Sequence, residues 1–149
     1  MIGIGSDHGG FELKQEILAL LKENGFEYKD FGCYDESSID YPDVAKPVAK
    51  AVLDGTIGKG ILICGTGIGI SITANKFKGI RCALCSDHFS AVATREHNDA
   101  NILCFGERVV GKGVIEDMIE VFANTEFEGG RHAGRVAKIE AGCSFGANL

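Results

Sequence analysis

The chain lacks any excess of positive charge: its 149 residues carry 15 lysines and arginines against 21 aspartates and glutamates, a net charge of −6. General binding to nucleic acid or to an anionic membrane surface goes with a basic balance, so both are excluded as broad functions, and any phosphate site must be local. Long apolar runs are missing too. Nothing approaches the ~20 residues that cross a bilayer, and MIGIGSDHGG sets no basic region ahead of a hydrophobic segment, so neither a membrane span nor a signal peptide is expected. A cytoplasmic location is the resulting expectation. Paired cysteine spacing is absent as well: Cys33, Cys64, Cys82, Cys85, Cys104 and Cys143 mostly sit in apolar, strand-like runs, which read as free thiols of a reducing compartment. Cys82-Ala-Leu-Cys85 does match C-x-x-C. Within a strand, however, positions three apart face opposite ways, which argues against a redox pair or zinc ligands. There is no repeat, low-complexity tract or break in composition. With 45% hydrophobic and 24% charged residues, residues 1–149 fit one domain with a substantial core.

What is present is an alternation of apolar runs and helical periodicities. Met1 to Ser6 reads as a strand, and Gly9-Gly10 turn the chain into a helix from Phe11 to Asn24, with Leu13, Ile17, Leu20 and Leu21 on one face. Phe26 to Phe31 reads as a second strand, followed by a polar loop and a helix from about Pro42 to Leu53. Further strands are expected over Ile61–Cys64, Ile80–Cys85 and Ile102–Phe105. Helices are expected from Phe89 to Glu96, from Val114 to Phe122, and from about 131 to 142. Five strands alternating with helices predict a doubly wound, mostly parallel α/β sheet. The early glycines Gly3, Gly5, Gly9 and Gly10 do not spell G-x-G-x-x-G, because His8 stands where the third glycine belongs, so no nicotinamide cofactor is expected.

The most informative stretch is Lys59 to Lys76, KGILICGTGIGISITANK. An apolar run ends at Cys64, and Gly65, Gly67 and Gly69 follow at alternate positions before helical spacing begins. A strand, glycine loop and helix start places free backbone N–H groups at the carboxyl end of a parallel strand, where ligands bind. Cys64 would stand where the positive end of a helix favours thiolate over thiol, with the Thr66 hydroxyl beside it. The bland alternative for Cys64 is a small apolar core residue.

Other polar residues carry similar pairs of readings. Asp7 either caps the following helix or serves a ligand at the end of the first strand, and His8 is either a surface turn residue or its neighbour in that role. His97-Asn98-Asp99 reads first as a surface turn between helix and strand. Arg131 and Arg135 share one helical face with His132 beside them, which is either a solvated face or a phosphate clamp.

Taken together, SDHGGFELK at 6–14, DYPDVA at 40–45, ILICGTGIGISITANKFKGIRC at 61–82, HNDANILCFGERVVG at 97–111 and FEGGRHAGRV at 127–136 resemble type B ribose-5-phosphate isomerase and its relatives acting on galactose or allose 6-phosphate. The resemblance covers nearly the whole chain. It implies a Rossmann-like (flavodoxin-like) three-layer sandwich with a five-stranded parallel sheet, without nucleotide. It also implies a homodimer, or a tetramer built from it, in which each site draws on both subunits and the C-terminal helix contributes to the assembly. Cys64 matches the base that moves a proton between C1 and C2. Thr66 and the loop amides of Gly65, Gly67, Ile68, Gly69 and Ile70 match the enediolate cradle, and His97 the residue that assists ring opening. Asp7 and Asn98 match sugar-oxygen ligands, while His8, Arg108, Arg131, His132 and Arg135 match phosphate ligands. One branch of the family uses a loop glutamate as base; Ile70 stands there, which leaves Cys64 as the candidate. No metal or cofactor is implied, since the substrate's own carbonyl accepts the electrons. The implied reaction is ribose 5-phosphate to ribulose 5-phosphate. A hexose 6-phosphate isomerase is the nearest alternative, and a non-catalytic phosphosugar sensor is the alternative of another class.

Overall fold

The structure, a computed structural model, describes residues 1–142. The apolar runs become five parallel strands: β1 (Ile2–Ser6), β2 (Tyr28–Asp30), β3 (Lys59–Cys64), β4 (Cys82–Leu84) and β5 (Ile102–Gly106), in the order β2-β1-β3-β5-β4. The three inner strands are almost wholly buried, as strands covered on both faces must be. The two edge strands are shorter than their apolar patterns predict. An edge strand pairs on one side only, and at Arg81 the backbone N–H turns to the Asn101 side chain, 2.9 Å away, instead of a neighbouring strand.

Among the described residues six α-helices cover the sheet: α1 (Phe11–Glu23), α2 (Tyr41–Leu53), α3 (Ile68–Ala74), α4 (His88–Asn98), α5 (Lys112–Asn124) and α6 (Arg131–Gly142). Successive residues of β3 face opposite ways, and the core divides accordingly. Ile61 and Ile63 pack with Leu13, Ile17, Ala91, Met118 and Phe122 of α1, α4 and α5. Leu62 and Cys64 pack with Val44, Val48, Ile70 and Ala74 of α2 and α3. The result is the doubly wound parallel sheet that the alternation predicts, in the Rossmann-like three-layer sandwich that the family resemblance implies. Truncating a fully buried side chain such as Leu62 to alanine costs about 2–5 kcal/mol.

The C-x-x-C pair is split by the sheet, with Cys82 on the α2 and α3 side and Cys85 on the other, so a redox role for this pair falls away. Cys33, Cys64, Cys82, Cys85 and Cys104 are free thiols. Cys143 lies outside the described residues. One reading is corrected: His97 and Asn98 are not a surface turn but the last residues of α4. The helix stops at Asp99, which takes a left-handed conformation (φ 46°, ψ 44°) that aspartate tolerates better than most residues. The Arg95 guanidinium holds this end together through the Ala100 carbonyl (2.6 Å) and the Asp99 carboxylate (2.9 Å).

The chain leaves β1 to one side for β2 and then crosses to the other side for β3, so the carboxyl ends of β1 and β3 flank a topological switch point. A crevice opens there in open α/β sheets, and it is where they bind ligands.

Candidate active site

At that switch point the ends of β1, β3 and β5 are tied together by backbone hydrogen bonds. Asp7 N–H donates to Ile63 O (3.2 Å), Glu107 N–H to Cys64 O (3.0 Å) and Arg108 N–H to Gly65 O (3.0 Å). The loop after β3 is then shaped by its glycines. Gly67 has φ 79°, and a Cβ on it would lie 2.7 Å from the Phe105 carbonyl carbon; a Cβ on Gly106 would lie 2.5 Å from that of Thr66. The loop therefore lies flat against the end of β5, and no larger residue fits at either position.

Two cysteines hold Gly67 in place. Its N–H donates to Cys64 Sγ at 3.1 Å, and its carbonyl accepts from Cys104 Sγ at 3.1 Å. Burial, reinforced by Cys82, pushes the Cys104 thiol well above the ordinary range, which suits a sulfur that donates. Cys64 is the acceptor of the pair. Thr66 Oγ1 accepts from Ile68 N–H at 3.2 Å, leaving its own hydrogen free to donate. Two of the expected amide donors, Gly67 and Ile68, are thus engaged within the loop. Among the described residues, Gly65, Gly69 and Ile70 have no acceptor for their N–H groups. The Ile70 side chain is fully buried in the core, so only its backbone reaches the loop surface.

Around the loop stand the other residues of the first group. Asp7 is buried and accepts from Gly10 N–H at 3.2 Å, the capping role considered for it from sequence. Exposed His8 sits one residue on, with Nδ1 3.2 Å from the backbone of Ile39. The Arg108 side chain runs past Gly65, whose Cβ position lies 3.8 Å from Arg108 Nε. Three neighbours were not singled out from sequence. The Tyr41 ring covers Gly69, with a Cβ there only 2.6 Å from Tyr41 Cζ. Gly106 is the floor beneath Thr66. Glu107 has its carboxyl pushed up by partial burial and by Glu12 and Asp7. The first carried a signal, a tyrosine beside the proline that opens α2; the other two depend on strand register.

The remaining predicted residues form a second group elsewhere. His97 and Asn98 end α4; Arg131, His132 and Arg135 start α6. Arg81 joins these elements, donating to Asn98 O (2.9 Å) and pairing with Glu140 of α6 (2.5 Å). His132 is 5% exposed and stacks on His97, ring centroids 4.4 Å apart and planes 15° apart. Its Nε2 lies 3.3 Å from Glu128 Oε2, yet without hydrogen-bond alignment. Burial, then His97 and Arg131, hold the imidazole below the ordinary histidine range. Arg131 and Arg135 are exposed on another face of α6. Glu128 is a further residue that sequence reasoning passed over.

Register separates the two groups. Cys64 pairs with Gly106 and Gly60 with Ile102, so the two groups sit at opposite ends of β3 and β5. Four residues of strand at ~3.3 Å each put at least ~13 Å between their levels within one chain.

Comparison with known proteins follows the same outline. The family model described as Ribose/Galactose Isomerase matches residues 2–139. Ribose-5-phosphate isomerase B of Escherichia coli is 50% identical over 140 residues, 94% of either chain. The solved ribose-5-phosphate isomerase B of Clostridium thermocellum superposes with a TM-score of 0.92 at 55% identity, covering 94% of this chain and 95% of that one. The type B ribose 5-phosphate isomerase of Trypanosoma brucei gives 0.91 at 46% identity over 94% of this chain and 96% of its own. On the strength of sheet, loop and full-length match, the chain belongs to the ribose/galactose isomerase family.

Proposed function

We propose that the protein is an aldose–ketose isomerase interconverting ribose 5-phosphate and ribulose 5-phosphate, with Cys64 as the base. The observation that carries this reading is the hydrogen bond from Gly67 N–H to Cys64 Sγ, beside the unpaired amides of Gly69 and Ile70 and the Thr66 hydroxyl. Proton transfer next to a carbonyl needs a base in reach and donors where negative charge develops. The thiolate takes the proton from C2 of the open-chain aldose. The C2–H electrons form the C1–C2 double bond, and the former carbonyl oxygen becomes the enediolate oxygen held by Thr66 and the loop amides. Transfer of the O2 hydroxyl proton to O1 and return of the abstracted proton to C1 leave the ketose, with no external oxidant or reductant.

The second group completes this site from another copy. At least ~13 Å within one chain is too far for Cys64 and His97 to share one five-carbon substrate. A two-fold dimer brings the carboxyl end of one sheet against the α4 and α6 termini of the other. The exposed apolar side chains Ile68, Ile72, Leu84 and Phe89 offer a surface for it. In that arrangement His97 of the partner subunit assists ring opening and Asn98 of the partner subunit holds a sugar oxygen, alongside Asp7. His8 and Arg108 meet the phosphate together with the α6 cations of the other copy.

Ribose 5-phosphate, allose 6-phosphate and galactose 6-phosphate are to be compared by kcat/KM, with deuterium wash-in at C2 as the direct readout. The pentose is expected to lead. Preference for a hexose phosphate would move the specificity within the family, and tight binding without wash-in would make the protein a sensor.

A further inference from the structure

The residues around His132 have a geometry that phosphate binding does not use. His97, His132 and Glu128 each present a ligand-type atom, and these atoms all lie within 4.8 Å of one another. A tetrahedral zinc site with bonds of about 2.0–2.2 Å sets its donors about 3.3–3.6 Å apart. The His132 Nε2 to Glu128 Oε2 separation is already 3.3 Å. That nitrogen is buried and makes no hydrogen bond, so its desolvation is uncompensated until a partner arrives. Glu128 is exposed and His97 half-buried, so an ion has a way in.

We propose that His97, His132 and Glu128 form a binding site for a divalent transition-metal ion, zinc foremost, and that its occupancy inhibits the enzyme. Two imidazoles and one carboxylate leave a fourth position for water, and they match the borderline-soft preference of zinc. Inhibition, unlike binding, rests on the isomerase reading: an ion on His97 and His132 removes one group from ring opening and one from the phosphate contact. The metal is not needed for turnover, so chelators leave activity intact or raise it.

The test uses the full chain freed of metal by chelator dialysis and titrated with Co²⁺ as a spectroscopic probe, then with Zn²⁺. One ion per chain with a tetrahedral nitrogen and oxygen spectrum is expected. Glu128→Gln and His132→Gln should each weaken affinity at least about tenfold, the lower end of what losing even an outer partner of a metal costs. Zinc inhibition should be competitive with ribose 5-phosphate, and its inhibition constant should rise by the same factor in Glu128→Gln. Equal affinity in wild type and both variants, no saturable uptake at millimolar metal, or a thiolate-to-cobalt band would overturn the site. Turnover without metal uptake removes the metal site alone, whereas metal uptake without turnover removes the isomerase reading alone.

Discussion

If each active site is built from two copies of the chain, two dead variants should rescue one another. The pair to combine is Cys64→Ala and His97→Gln, because these residues occupy opposite ends of β3 and β5. Losing a positioned acid or base typically costs about 10²–10⁴ in rate, so each homodimer should retain about 1% of activity or less. In a two-fold heterodimer one site carries both defects and the other carries neither. Random pairing makes about half the dimers mixed, and half the sites in each of those are intact, so the mixture should recover about a quarter of wild-type activity. Differently tagged variants would be co-expressed, the mixed species isolated through both tags, and ribulose 5-phosphate formation followed. The purified heterodimer should reach about half of wild-type kcat with an unchanged KM. Activity no higher than the mean of the two parents would refute the composite site and require Cys64 and His97 to act in separate places.

Further expectations concern single positions. Gly67→Ala should destabilise the fold by about 2–5 kcal/mol in urea unfolding, since alanine is strained at φ 79° and its Cβ would meet backbone at 2.7 Å; an unchanged midpoint would mean the loop can shift. Arg135→Ala should raise KM for the phosphorylated sugar with little loss of kcat, because a charged contact to a non-reacting group is removed; an unaltered KM would place α6 away from the phosphate. Folding suppresses protonation of His132, so below about pH 6.5 the unfolded chain binds more protons and stability falls. The melting temperature should therefore drop less steeply with acid in His132→Gln than in wild type, and parallel slopes would contradict this. Cys85, buried and with its thiol pushed up to about 11, should resist alkylation at pH 8 in the native protein; rapid labelling there would indicate an open β4 edge.

The order of strands and helices was legible in the sequence wherever burial was complete, because β3 and β5 pack on both faces and show continuous apolar runs. It was less legible at β2 and β4, where pairing on one side lets the ladder stop early, and at the end of α4, where one left-handed aspartate rather than a glycine closes the helix. The local chemistry of the loop was also readable. A cysteine followed by alternating glycines dictates a sharp turn and nearby amides whatever surrounds them.

Other features belong to the tertiary structure alone. Which amides remain free depends on Cys64 and Thr66 accepting from Gly67 and Ile68, and that depends on how the loop is pressed against Gly106. The setting of His132 between His97 and Glu128 arises from α6 docking on α4, long-range contacts that no periodicity encodes. The sequence by itself determined a parallel α/β sandwich with a thiol at the end of its central strand. Only the tertiary structure decided that this thiol and the His97–His132 pair lie at opposite ends of the sheet, because strand register, a relation between distant segments, sets which residues share an edge.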